Sequence, residues 1–168
     1  MRVLAICFLF ISQLTILSAG QQAASGGKTV EAVCTFDDGK EMKIQYTKAP
    51  ASYREDFREG KLWEPGGAPM FLFTQAPLSL GSTAIPGGAY SVYIIPEKQT
   101  WTLVVNKNVT AGSKYDEKED VGRGTMEIGQ NETPVKEPQI VFAHMAPKQC
   151  NLRLYYEKVG AWAEFQEK

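Results

Sequence analysis

Tyr115-Asp116-Glu117-Lys118-Glu119-Asp120, with Arg123 three positions further on, is the densest run of proton-handling groups in the chain. Carboxylates beside an arginine can do two kinds of chemistry. In an exported hydrolase, Asp116 and Asp120 would share acid–base work while Arg123 stabilises negative charge, which requires environments that separate the two carboxyl pKa values. In a structural role, the planar guanidinium of Arg123 holds a carboxylate through two parallel hydrogen bonds and pins a long polar loop to the strand that follows. A third option is that Arg123 faces an open pocket and binds an anionic ligand. Calcium ligation of the EF-hand kind is excluded, because it needs oxygens at alternate positions around a central glycine. The acidic run reads as a solvated loop.

Other chemistry is sparse. His144 is the only histidine, and it shares a strand face with Ile140 and Phe142. No neighbouring nucleophile and carboxylate complete a Ser-His-Asp arrangement, so His144 reads as a core or edge residue. Gly26-Gly27-Lys28-Thr29 resembles the end of a phosphate-binding loop, but Gln22 stands where the first glycine belongs. One histidine with Cys34 and Cys150, paired with each other, gives no zinc site. No catalytic residue, metal or cofactor is assigned.

Among the aromatics, Trp63, Trp101 and Trp162 would line a carbohydrate- or peptide-binding face if exposed. Packing in the core is the competing reading, favoured by the position of Trp101 in the most strand-like segment.

The first twenty residues, MRVLAICFLFISQLTILSAG, have the form of a signal peptide: Arg2, an apolar run from Val3 to Leu17, then Ser18-Ala19-Gly20 as a small-residue cleavage site. Ser12, Gln13 and Thr15 dilute the run, and no basic cluster follows it, which argues against a retained membrane anchor. Ile6 is too large before Cys7 for a lipoprotein signal. Cleavage after Gly20 leaves an exported chain, periplasmic or extracellular, without a membrane span. It also removes Arg2, so the formal charge of −1 becomes about −2. Such a surface has no footprint for nucleic acid or anionic lipid. Cys34 and Cys150 then remain, and two cysteines in an exported chain pair most simply as one disulfide. The close C-x-x-C spacing of a redox pair is missing.

The elements that must position these residues are short alternating runs between turn residues, the pattern of an all-β, single-domain antiparallel sandwich. TVEAVCTF and EMKIQYT flank Asp38-Gly39, a hairpin signal. IPGGAYSVYIIPEKQTWTLVVN, residues 85 to 106, reads as two strands apolar on both faces and therefore central in a sheet. EPQIVFAHM, QCNLRLYYE and GAWAEFQ form a meander with bends at 146–148 and 158–160, and Cys150, Leu152, Leu154 and Tyr156 share one face. One short helix is expected over 52–59, where Ser52 and Glu55 form a capping-box pair and Gly60 supplies a stop. KNVTAGSKYDEKED and GQNETPVKEP are polar loops. Asn108 and Asn131 head glycosylation sequons that matter only in a eukaryotic secretory pathway. The expected layout is a signal peptide over 1–20, a flexible lead-in over 21–29 and one β-domain over 30–168.

LWEPGGA, IPGGAYSVYIIPEKQTWTLVVNK and YDEKEDVGR, in that order and spacing, resemble a bacterial exported family, domain of unknown function 2911 (DUF2911). Gly88, Tyr90, Pro96, Trp101, Asn106, Lys107, Tyr115, Asp116, Asp120 and Arg123 fall on its matching positions, and Trp63 leads its first motif. Glu64 stands where the family carries an arginine, Pro65-Gly66-Gly67 alter that loop, and SYREDFREG replaces a basic segment. The resemblance implies no activity. The leading expectation is a non-enzymatic exported binding or structural module whose partner is a glycan, a peptide or another exported protein. The alternative is the hydrolase using Asp116, Asp120 and Arg123.

Overall fold

The computed structural model describes residues 27–50 and 53–168; the expected signal peptide lies outside them. Nine strands follow one another: β1 (Lys28–Thr35), β2 (Glu41–Lys48), β3 (Met70–Thr74), β4 (Leu78–Leu80), β5 (Thr83–Ile85), β6 (Gly88–Ile95), β7 (Trp101–Asn106), β8 (Asp120–Ala146) and β9 (Gln149–Glu167). β1 thus takes in Lys28 and Thr29, which the sequence reading places in the lead-in. All pairings are antiparallel, in the order β1-β2-β3-β6-β7-β8-β9-β4-β5. The fold is all-β as expected, but its layers belong to one continuous sheet.

β8 makes the layers. Its residues from Asp120 to Met126 pair with β7, and those from Glu127 onward pair with β9. The sheet therefore folds over along β8, and its two parts enclose a single core. Met42, Ile44, Leu72, Val92 and Leu103 meet Leu152, Leu154, Ala163 and Phe165 there. Period-two alternation supplies each strand with its inward residues; in β2, Met42, Ile44 and Tyr46 are buried.

β9 reverses within its own length at Glu157, whose φ is 51°. The return brings Glu167 N to 2.8 Å from Lys148 O and sets Gly160 against the Tyr155 ring. The turn near Pro147 lies where the sequence indicates, but no turn forms over 158–160, and GAWAEFQ pairs with β8 and β4 rather than beside QCNLRLYYE as a meander would. Cys34 in β1 and Cys150 in β9 are joined in a disulfide with Cα atoms 6.5 Å apart across 116 positions of sequence. Closing a loop of that length stabilises the fold by about 4–5 kcal/mol in the chain-entropy account. The bond places the protein in an oxidising environment of the kind exported proteins meet.

β6 and β7 occupy the centre of the first part, as their two apolar faces require. Tyr90, Val92 and Ile94 face the core. Ser91, Tyr93, Val104 and Asn106, on the opposite face, are also buried. The loop after β7 covers them: Ser91 Oγ donates to Asn108 O at 2.7 Å, and the Tyr93 and Tyr115 rings meet with centroids 5.0 Å apart.

The helix expected over 52–59 is not formed: Tyr53 to Arg58 have no regular structure, and Ser52 lies outside the described residues. The single helical turn among the described residues is at Glu117–Glu119. Tertiary partners displace the capping box. Glu55 accepts from Trp63 Nε1 at 2.9 Å and from Gly66 N at 3.0 Å instead of closing a helix start. Burial pushes its carboxyl above the usual range, against the pull of these two hydrogen bonds. Phe57 sits edge-on to Trp63 with ring centroids 5.1 Å apart. An extended path lets Glu55 and Phe57 both reach the Trp63 side chain.

Candidate functional site

The loop residues singled out by sequence come together. Asp120 begins β8, and its Oδ2 accepts from Arg123 Nε at 2.9 Å and from Tyr115 OH at 2.8 Å. Its Oδ1 accepts from Asn106 Nδ2 at 2.8 Å. Arg123 Nη2 donates to Tyr115 OH and to Glu117 Oε1, both at 2.9 Å. Asn106, 1 % exposed, also donates to Asp116 O and accepts from Asn108 N. Asp120 and Glu117 thus share Arg123, while the other two acids of the run go elsewhere. Asp116 Oδ1 caps the helical turn by accepting from Lys118 N, and Glu119 pairs with Lys107 at 3.3 Å. Burial, then the hydrogen bond to Asp120, pushes the Tyr115 hydroxyl up to about 12. Asn106 is the member of this network that charge-based reading passes over; its place at the end of an apolar strand is the available signal.

Trp63 and Trp101 form no binding face. They are 1 % and 2 % exposed, packed edge to face with centroids 6.0 Å apart, because both project into the core. Trp63 reaches its place by pairing with Ile94 of β6, ahead of the start of β3. His144 is exposed near the end of β8, its Nε2 3.5 Å from Asp37 Oδ1. Among the described residues, no group of three or more His, Cys, Asp or Glu side chains is placed to hold a metal ion.

Trp162 is different. It is half-buried on the outer face of the sheet, where a trough of about 310 Å³ runs between β4, β8 and β9. Strand alternation builds this face. Ala161, Ala163 and Phe165 point into the core, so Trp162, Glu164 and Gln166 point out. Glu127 lies directly across from Trp162, and Ser79 across from Gln166. The reversal of β9 adds Asn151, from the other arm of the same strand, to the trough wall.

Two buried polar side chains in that wall are poorly satisfied. Asn151 is 8 % exposed, and its Oδ1 is buried without a hydrogen-bond partner. Ser79, 6 % exposed, reaches only Gln166 O at 3.5 Å, far beyond the usual hydroxyl hydrogen bond. A larger cleft of about 540 Å³ lies between Tyr53, Val135 and Tyr156. Its wall mixes charges of both signs and runs up to residues 51 and 52, outside the described set.

No curated protein and no solved structure matches the chain. The family model described as "Protein of unknown function (DUF2911)" matches residues 27–165, from the start of β1 almost to the end of β9, including the loop network and all of the trough but Gln166. The chain belongs to the DUF2911 family.

Proposed function

We propose that the protein is an exported, non-catalytic binding module whose ligand lies in the Trp162 trough, and that the loop from Lys107 to Arg123 is architectural. The observation that carries this reading is Asn151, buried in the trough wall with its carboxamide oxygen unpartnered. A buried polar group left without a partner costs about 1–3 kcal/mol, a loss that a ligand relieves once the amide rotates to bring that oxygen to the trough. A half-turn of the amide about χ2 exchanges oxygen and nitrogen and so offers the trough either an acceptor or a donor.

The hydrolase reading asks for the opposite arrangement, an open carboxylate pair within reach of one substrate. Both oxygens of Asp120 are engaged, and Arg123 is taken up by Asp120, Tyr115 and Glu117. In the proposed account export follows cleavage after Gly20, which gives a periplasmic or extracellular protein. Mass spectrometry of the secreted chain should then find Gln21 at its N-terminus.

The direct experiment probes immobilised glycans and peptides with the mature protein, Trp162→Ala and Asp120→Asn, all below their melting temperatures. Capture lost in Trp162→Ala and kept in Asp120→Asn supports the reading. The reverse pattern moves the site to the loop. Turnover of ester or glycoside substrates that Asp120→Asn abolishes would restore the hydrolase.

A further inference from the structure

We infer that the trough takes a neutral polyhydroxylated ligand, a sugar ring of a glycan laid against Trp162. This deepens the binding-module reading and rests on it. The lining decides the chemical class. A sugar hydroxyl both donates and accepts, so a site for it needs donors and acceptors interleaved at short range. Glu127 and Glu164 supply acceptors, Asn151 and Gln166 supply both kinds, and Ser79 adds a hydroxyl. The C–H face of a pyranose is apolar and slightly positive, which suits the negative face of an indole.

Charge removes the competing classes. No lysine, arginine or histidine lines the trough, so uronic acids and phosphates would meet two carboxylates with no cation to offset them. A quaternary ammonium group would use the carboxylates and the indole but leave the amide and hydroxyl donors idle. At about 310 Å³, the trough stands at the small end of ligand sites, which suits one or two rings rather than a long buried segment.

The strands that carry these side chains are in register before a ligand arrives. Glu127 faces Trp162, and Ser79 faces Gln166, across paired strands. Gly129 lies beneath the indole, where an added Cβ would sit 3.3 Å from the ring. The absence of a side chain there gives Trp162 room to lie along the sheet. A site built on paired strands is positioned more accurately than one on a loop.

Titration calorimetry of the mature protein provides the test, with cellotriose and maltotriose as neutral probes, trigalacturonic acid as the anion and choline as the cation. At least one neutral trisaccharide should bind at about 10 mM or below, a weak affinity typical of a small open site. Trp162→Ala and Asn151→Ala should each weaken it about tenfold, as loss of a central contact does. Trp162→Phe, which keeps a ring, should fall between these and the wild type, and thermal melting of each variant separates lost contact from lost fold. Trigalacturonic acid and choline should give no heat.

Trisaccharide binding unchanged in Trp162→Ala would overturn the site. Trp162-dependent binding of choline or trigalacturonic acid would overturn the ligand class. Silent trisaccharides together with Trp162-dependent capture of peptides would end the sugar inference and leave the binding module standing. Silence in both the titration and the capture panel would end both.

Discussion

The loop network and the Trp162 trough treat polar groups in opposite ways. Around Asp120, donors and acceptors meet in matched pairs. One carboxylate takes three hydrogen bonds, and the buried Asn106 amide spends both its nitrogen and its oxygen. In the trough, Asn151 and Ser79 are as well buried as many core residues yet find no good partner. A network satisfied from within serves the fold, here by holding the loop over the outer face of β6 and β7. Polar groups left short of partners on a rigid strand face stand ready for something outside the chain. On the proposed reading, the densest charge in the sequence marks architecture, and the candidate site falls elsewhere.

Mutations should separate the two regions by the size of their effect on stability. The largest change is common to both. Cys34→Ser with Cys150→Ser should lower stability by about 4 kcal/mol, read by denaturant unfolding. Because Asn151 follows Cys150 directly, ligand binding should suffer in the same variant even at temperatures where it stays folded.

Within the network, Asp120→Ala should cost about 2–3 kcal/mol, since it strands Tyr115, Asn106 and Arg123 at once. Arg123→Ala should cost less, about 1 kcal/mol, because the arginine side chain is 38 % exposed. Arg123→Lys should recover only part of that, lacking the fork that reaches Asp120, Tyr115 and Glu117 together. Neither Arg123 variant should alter ligand binding. Unchanged melting with lost binding would mean that Arg123 faces a ligand after all.

Alkaline pH probes the same network more gently. The Tyr115 hydroxyl rises from 10.0 to about 12 on folding, so the folded state favours the neutral phenol. Its contribution is complete below pH 10 and is lost as the pH climbs toward 12. Melting curves of the wild type should therefore fall more steeply through that interval than those of Tyr115→Phe, which should itself cost about 1 kcal/mol at neutral pH.

The smallest shift carries the sharpest contrast. Asn151→Ala removes an unpartnered group, so stability should change by less than about 1 kcal/mol in either direction. A large loss would mean that Asn151 is satisfied, and the contrast between the two regions would collapse.

How far the sequence spoke depended on whether the signal was local. Strand alternation, the turn near 147 and the pairing of Cys34 with Cys150 follow from period, turn residues and the expected export, all readable along the chain, whereas β9 bends at Glu157 and not over 158–160. The helix over 52–59 was misread because Glu55 and Phe57 have tertiary partners, Trp63 above all, that no local pattern reveals. Arg123 and Asp120 stood out by type and spacing, while Asn106, which joins them to β7, did not. The trough was invisible for a physical reason. Asn151 and Glu164 meet only because β9 turns back at Glu157, a non-glycine residue with positive φ, and Ser79 joins them only through the pairing of β4 with the end of β9.

The most direct measurement is a nitrogen–proton NMR titration of the mature protein with cellotriose and maltotriose, following the three tryptophan indole N–H signals and the asparagine side-chain amides. The account requires the Trp162 and Asn151 signals to move with the binding isotherm of one of these sugars, while Trp63, Trp101 and Asn106 stay still. Shifts centred on Asn106 and the backbone of Tyr115 to Arg123, with Trp162 unmoved, would contradict it.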